Sequence, residues 1–485
     1  MNDATADPST LNFDGGILAA DKFGRAREVL REVTANGLET IRLSFADQHG
    51  LLRGKTIVAN GLATAFRNGI TAPSTILLKD PSHHTAFPVW AADAGFGRGI
   101  LTGAGDVCLV PDPDTFRTLP WSPRSGWLLC DVVTSERSPI EFASRNVLRN
   151  ARNALAAAGY DMVVGLEIEF HVFKLEDSRL THGDAGMPGA VPETSNLTRN
   201  YELLGESRYD ALESVMDAIR QACAALRLPV KSMEAEFGPS QIEFVFEPGG
   251  VCEQADAMVL FRSAVKQVCA RLGLHATFMC RPVVANGACS GWHIHQSLVD
   301  RQSGHNVFMP GDGEALNAVA NNWIAGLLEH AAECCLMTTP TVNGYRRYQP
   351  HQLAPDRIQW GNDNKGAMIR GLMRPGDHAS RIENRVAEPA ANPHYALASQ
   401  IYAGLSGLTR NLAAPAPVER PYDDDAAQLP DSLLDAIEAF EAGDLFRQSI
   451  GPEFVAYYGQ LKRAEWLRYI STLSEWEQKE YFAAF

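Results

Sequence analysis

The chain has 485 residues, 45% hydrophobic and 21% charged, the balance of a globular protein with room for two or more domains and a sizeable core. Its formal net charge of −15 argues against a surface built to hold nucleic acid or anionic lipid, both of which need concentrated Lys and Arg. Nine cysteines, an odd number that includes the neighbours Cys334 and Cys335, do not make a disulfide framework and predict a reduced, cytoplasmic setting. The acidic start (Asp3, Asp7, Asp14) has no apolar core of a signal peptide, and no run approaches the roughly eighteen apolar residues of a membrane span.

In chain order, residues 1–22 read as a flexible polar tail, followed by a short helix over Ala26–Ala35. The run from Glu39 to Val58 reads as a hairpin, with Ile41, Leu43 and Phe45 alternating with polar neighbours. Short apolar runs and turn signals continue to about Asp131 and predict a small, mostly β domain. After Pro139 the rhythm changes: Ser144 is placed to cap a helix with Val147, Leu148, Ala151 and Leu155 on one face. The strand DMVVGLEIEFHVFKL then puts Glu167, Glu169 and His171 on the face opposite Leu166, Ile168 and Phe170. Two further helix-then-strand units follow, through KSMEAEFGPSQIEFVFE and HATFMCRPV, so a sheet backed by helices would present a polar front face. Residues 413–430 read as a surface loop, and the aromatic C-terminal stretch, with Phe454, Tyr457, Trp466 and Tyr469, as helices packed on the core.

The chemistry centres on GACSGWHIHQSL, where His293 and His295 share one strand face behind small residues that permit close backbone approach. An isolated H-x-H is commonly a pair of hydrogen-bonded histidines, and Cys289 ahead of it raises the alternative of a cysteine nucleophile. The ensemble is stronger than either fragment. Glu167 and Glu169, joined by Glu236 and Glu243, would crowd carboxylates that repel unless a cation lies between them. Hard oxygen donors with an imidazole favour Mg²⁺ or Mn²⁺ over structural zinc. Downstream, Arg346, Arg347, Lys365, Arg370, Arg381 and Arg385 surround Glu383, a set suited to polyphosphate and carboxylate groups and hence to phosphoryl transfer from a nucleotide.

In order and spacing, GLEIEF, EFGPSQIE, SGWHIHQSL, NGYRRYQP and SRIENRVAEPAANPHYALA resemble the glutamine synthetase family. The resemblance implies an α+β fold: a β-grasp domain over residues 23–137 and a catalytic domain over residues 138–485 with an antiparallel sheet backed by helices. It also implies a ring-shaped homo-oligomer, built from hexameric rings that can pair into a dodecamer, with active sites between subunits. The implied chemistry phosphorylates the γ-carboxylate of glutamate with ATP, after which a nitrogen nucleophile displaces phosphate. Carried over by motif, Glu169, Glu236 and Glu243 hold one Mg²⁺ or Mn²⁺ and Glu167, His293 and Glu383 another. His295, Ser297, Arg370 and Arg381 face ATP, Arg347, Arg385 and Cys289 the glutamate, and Lys365, Arg347 and Glu383 the reacting groups. Lys365 stands where the family usually has arginine, keeping the charge but losing the bidentate fork.

The nitrogen-accepting half departs from the pattern. Ammonia-using members carry a glutamate in a Gly-Tyr-Glu-Ala-Pro segment and an aspartate in a Phe-Asp-Gly-Ser-Ser turn, which match Leu353 and Ala72 here. Trp292 and Cys289 also differ from the family pattern. These losses imply a nucleophile other than ammonia, and the walls Leu353, Trp292 and Ala72 suit a hydrophobic or aromatic amine, which arrives neutral and needs no carboxylate. Glu234 or another acid could replace the lost groups, which would instead favour a cationic amine. An ammonia-dependent enzyme, a polyamine or alkylamine ligase and a catalytically silent structural relative are the alternatives.

Overall fold

The computed structural model describes residues 13–485 apart from 94–98, 178, 200, 285–286, 315, 350–353 and 424. Six strands of the N-terminal part are β1 (Thr40–Ala46), β2 (Leu52–Val58), β3 (Ile70–Pro73), β4 (Asp106–Pro111), β5 (Arg117–Leu119) and β6 (Ser122–Thr134). They form one mixed sheet in the order β2-β1-β6-β4-β3, with β1 and β6 parallel and β5 added on β6. The helix Phe23–Ala35 buries Ala26, Val29, Leu30 and Val33, an i, i+3, i+4, i+7 apolar stripe, and gives the grasp-like arrangement its helix.

The larger sheet holds β7 (Tyr160–Leu175), β8 (Thr194–Asn196), β9 (Val230–Ala235), β10 (Gln241–Phe246), β11 (Gly249–Gly250), β12 (Leu274–Thr277), β13 (Trp292–Asp300), β14 (Trp360–Asn362), β15 (Ile369–Leu372) and β16 (Arg381–Asn384). Its main path runs β14-β15-β16-β13-β7-β10-β9 and is antiparallel except at β14 with β15. Helices Ser144–Ala157, Glu206–Ala225, Val251–Arg271 and Pro393–Arg410 pack behind it. On that side Leu166, Ile168, Phe170, Phe244 and Ile294 are fully buried. Each strand therefore anchors its odd or even half in core and offers the other half to the front.

The two sheets are joined through Arg145, whose guanidinium donates to Asp112 (2.9 Å), Asp131 (2.8 Å) and Asp256 (2.7 Å). Ser144 is the first helical residue and not the cap: its hydroxyl donates to the Asp47 carbonyl at 2.7 Å and accepts from Asn392 at 2.8 Å. The hydroxyl is used across the domain junction, where the helix end had been its expected partner.

Two local expectations change. Residues 13–22 are not loose: Phe13 is buried against Phe23 and Phe66, with ring centroids 5.5 and 6.3 Å away, and Leu18 is buried too. At the other end Phe454, Tyr457 and Leu461 are core residues, but Tyr469 is 43% exposed and the apolar residues beyond it, Leu473, Trp476 and Phe482, are exposed as well. Among the described residues no helix is long and apolar enough to cross a membrane.

Candidate active site

The register of the large sheet assembles the site. On β7, Gly165, Glu167, Glu169 and His171 face forward because their alternates are held in the core. Antiparallel pairing sets His293 opposite Glu167 and His295 opposite Gly165, then Glu383 opposite His295 and Arg370 opposite Glu383. On the other side Glu243 lies opposite Glu169 and Glu234 opposite Glu243. Three carboxylates thus stand directly across from one another on β7, β10 and β9, an arrangement that is destabilising unless a cation or protons compensate. Glu236 follows β9, its backbone N–H donating to the Gln241 carbonyl at 3.0 Å.

His295 accepts from Arg381 Nε at Nδ1 (3.1 Å), which leaves its proton on Nε2 to donate to Glu167 at 2.8 Å. His293 Nδ1 lies 3.3 Å from the other Glu167 oxygen. Burial works against ionisation of Glu167, but its hydrogen bonds with His293 and His295 outweigh it and hold the carboxyl well below the usual range. Glu169 and Glu243 go the other way: burial, then the neighbouring carboxylates, push Glu169 up to about 8 and Glu243 up to about 10. Burial also raises Glu236. Burial and the nearby Arg385 push His293 down to about 4, so its ring is neutral and keeps a lone pair for a cation. Glu383 is fully buried between Arg370 (3.1 Å) and Arg385; burial opposes its charge, but His293 and Arg385 hold it ionised.

Donor atoms lie within 4.8 Å of one another in three groups: Glu167, Glu243 and His293; Glu167, His295 and Glu383; and Glu234, Glu236 and Glu243. Carboxylates that burial and mutual repulsion keep protonated, beside a neutral imidazole, are a donor set that fits Mg²⁺ or Mn²⁺. All six residues named as ligands from the sequence reach this face. The grouping differs from the expected partition, since His295 and Glu234 enter and Glu169 stands in none of the three.

The front face opens into two cavities that share Glu167. One, of about 520 Å³, is lined by Glu167, Glu169, Glu234, Glu236, Glu243, His293, Cys289, Arg347, Lys365, Arg370 and Arg385. The other, of about 240 Å³, is lined by Glu167, His295, Ser297 and Arg381. Arg347 is buried and its guanidinium donates to the Arg385 carbonyl at 2.8 Å. It passes so close to Gly291 that a side chain there would meet its Nη2 at 2.5 Å and His293 Nε2 at 3.1 Å, which accounts for the glycine before the H-x-H strand. Burial raises the Cys289 thiol, the opposite of what an activated nucleophile needs.

Of the expected amine walls, Trp292 and Ala72 do not line this cavity. Trp292 pairs with Ile168 and is wholly buried in the core, because it is one residue out of phase with His293 on the same strand. Ala72 sits buried on β3 opposite Val107, in the N-terminal sheet. Leu353 lies outside the described residues. Sequence reasoning passed over Gln241, whose amide donates to Glu169 (3.0 Å) and Ser290 (3.1 Å) and which the alternation with Glu243 would have marked. It also passed over the apolar group Tyr201, Leu203, Leu204 and Phe237 at the rim of the larger cavity, for which no motif gave a signal.

Residues 141–481 match the family model of the glutamine synthetase catalytic domain. The chain belongs to the glutamine synthetase family. Within that family it is 40% identical over 477 residues to the gamma-glutamylanilide synthase of Acinetobacter sp, covering 94% of this chain and 95% of that protein. It is 31% identical over 475 residues to the glutamine synthetase of Halobacterium salinarum (95% and 97% covered), and 27% identical over 455 residues to the glutamate–isopropylamine ligase of a Pseudomonas sp (93% and 96% covered). A solved structure titled as a GmaS/ADP complex superposes with a TM-score of 0.78 at 26% identity, covering 94% of this chain and 99% of that one. The glutamine synthetase fold accounts for the sheet order and for the helices behind it.

Proposed function

We propose that this protein is an ATP-dependent ligase that phosphorylates the γ-carboxylate of glutamate and joins it to a neutral, hydrophobic or aromatic amine, releasing ADP, phosphate and a γ-glutamylamide. The observation that carries the reading is the pair of cavities meeting at Glu167. Nucleotide in the smaller one would set its terminal phosphate beside His295, Ser297 and Arg381. Glutamate in the larger one would be held by Arg347 and Arg385, with Lys365 and Arg370 turned towards the transferred group. Mg²⁺ or Mn²⁺, at least two ions per site held among Glu167, Glu169, Glu236, Glu243, His293 and Glu383, would offset phosphate charge and polarise the γ-phosphoryl group.

The protein's own groups divide the remaining work. Arg385 and Arg370 keep Glu383 ionised and fixed, Gln241 and the Gly291 N–H (3.0 Å) orient Glu169, and Arg381 fixes the tautomer of His295. The choice of a neutral amine is supported by Ala72 and Leu353 standing where ammonia-using members have acids, and by the similarity to a gamma-glutamylanilide synthase. Every described residue of the larger cavity falls between Glu167 and Arg385; in a ring-shaped homo-oligomer the N-terminal domain of a neighbouring copy would bring Ala72 towards it.

The test is glutamate-dependent phosphate release from ATP with Mg²⁺, comparing ammonium, putrescine, ethanolamine, isopropylamine and aniline at matched concentrations. Highest turnover with aniline or another hydrophobic amine supports the proposal. Highest turnover with ammonium returns the chain to glutamine synthesis, and no stimulation by any amine removes the ligase reading.

A further inference from the structure

The larger cavity is lined mainly by charged side chains. At its rim Tyr201, Leu203 and Leu204 are 56%, 40% and 61% exposed, and with Phe237 they make a continuous apolar edge beside Glu234 and Glu236. Surface hydrophobics scattered singly need no explanation, but four large ones at the mouth of a charged reaction cavity do. The edge is also built. The Glu202 N–H donates to the Phe237 carbonyl and the Leu204 N–H to the Ala235 carbonyl, each at 3.1 Å, so residues 202–204 run alongside the end of β9. Arg208, itself buried, donates to the carbonyls of Glu202, Phe237 and Gly238 and pins both segments at once. The rings of Tyr201 and Phe237 lie 5.8 Å apart at 35°.

Leu204 adds a second kind of evidence. Its φ of +56° lies in the left-handed region, which an L side chain occupies at a cost and a glycine would occupy freely. The backbone thus accepts strain in order to hold a leucine side chain at the cavity mouth. That side chain gains nothing from the core, being mostly exposed in the free chain.

We propose that Leu203, Leu204 and Phe237, with Tyr201 at the margin, form the wall on which the ring of an aromatic amine lies while its nitrogen reaches the activated glutamate. This deepens the functional reading above and rests on it. An aniline nitrogen is neutral at pH 7 and carries a flat apolar body, so its affinity must come from contact area and ring packing, with no ion pair to help. The wall replaces Trp292, which the sheet turns into the core, as the aromatic-binding element. As the C–N bond forms, the acyl–phosphate bond breaks, phosphate leaves with the electron pair, and the extra proton on nitrogen leaves to the released phosphate or to solvent.

The experiment compares kcat/KM for aniline with kcat/KM for hydroxylamine, a nucleophile too small to touch the wall, in the Mg²⁺-loaded full-length protein. Leu203→Ala combined with Leu204→Ala should lower the aniline-to-hydroxylamine ratio about tenfold or more, chiefly through the KM for aniline. Leu203→Glu should lower the same ratio and raise relative turnover of putrescine, whose ammonium the new carboxylate would attract. A merely structural role would depress both nucleophiles together and leave the ratio where it was. An unchanged ratio in both variants, with wild-type protein active on aniline, overturns the wall while the ligase reading stands. A wild-type protein that turns over hydroxylamine and ammonium but no aromatic amine overturns both.

Discussion

Raising the pH of the metal-stripped protein from 7 to 8 should cost it about 2 kcal/mol of stability, and Mg²⁺ should abolish the loss. Glu243 and Glu169, pushed up to about 10 and about 8, keep their protons in the folded state, whereas the unfolded chain has released them well below pH 7. With the folded state binding more protons, stability falls as pH rises, by about 1.4 kcal/mol per proton per pH unit. Across this window Glu243 contributes nearly a full proton and Glu169 about three quarters of one, which gives the figure above. His293 and His171, pushed down to about 4, are neutral in the folded state throughout this window and add only a small opposing slope as the unfolded histidines lose their last protons. Glu388, pushed up to about 7 by burial, adds only a small tail.

For a chain this long the unfolding entropy is about 1 kcal/mol/K, so the melting midpoint should drop by about 2 °C in differential scanning calorimetry with a chelator present. Mg²⁺ displaces the same protons, so its stabilising shift should grow from pH 7 to pH 8. Glu243→Gln, which leaves a neutral side chain of the same shape, should lose more than half of the pH slope and most of the metal shift. A midpoint that stays level or rises with pH in the stripped protein, or a metal shift of equal size at both pH values, would refute this account of the carboxylate row.

Further outcomes follow from single contacts. Arg385→Lys removes the guanidinium that pairs with Glu383, and at about 1.5–3 kcal/mol for a charge-assisted hydrogen bond it should reduce kcat/KM for glutamate by roughly 10- to 150-fold in a steady-state assay. Arg381→Ala should raise the KM for ATP far more than the KM for glutamate, because Arg381 lines only the smaller of the two cavities. Trp292→Phe should lower stability by about 1–3 kcal/mol in urea titrations without altering the ranking of amines, as the indole faces the core. Ser144→Ala removes two hydrogen bonds at the junction of the two sheets, but the Asn392 amide still donates to the Asp47 carbonyl at 3.1 Å, so the loss should be about 1 kcal/mol by the same measurement.

What could be read without coordinates was set by period. Alternation on LEIEFHV and WHIHQSL placed Glu167, Glu169, His293 and His295 on one face, and the sheet register then brought those faces together. The same rule, applied to Trp292, would have turned it inward; the expectation that it lines the amine pocket followed its position next to His293 in the chain and ignored the phase. Ala72 illustrates a different limit, since a residue aligned by motif can sit on another sheet and not line the cavity of its own chain. Ser144 was correctly placed at a helix start, but a hydroxyl there has two possible employers, and only the fold reveals that the Asp47 carbonyl is nearer than the helix end. The segment around Leu203 carries no periodic signal at all, because its shape comes from Arg208 and from backbone bonds to β9 that join residues roughly thirty positions apart.

The order of strands in the large sheet also bears on how such enzymes change. The groups assigned to nucleotide, His295, Ser297 and Arg381, lie on β13 and β16, and the rim proposed for the amine lies beyond β9, on the opposite flank of β7. The carboxylates between them are fixed by ladder pairing, where a one-residue slip would turn every acid into the core. Residues 201–204 are held by only a few bonds and their side chains fill no interior space. Mutation can therefore explore new nucleophiles at one flank while the energy-coupling half of the reaction stays intact, so that a lineage can acquire a new amine without passing through an inactive ancestor.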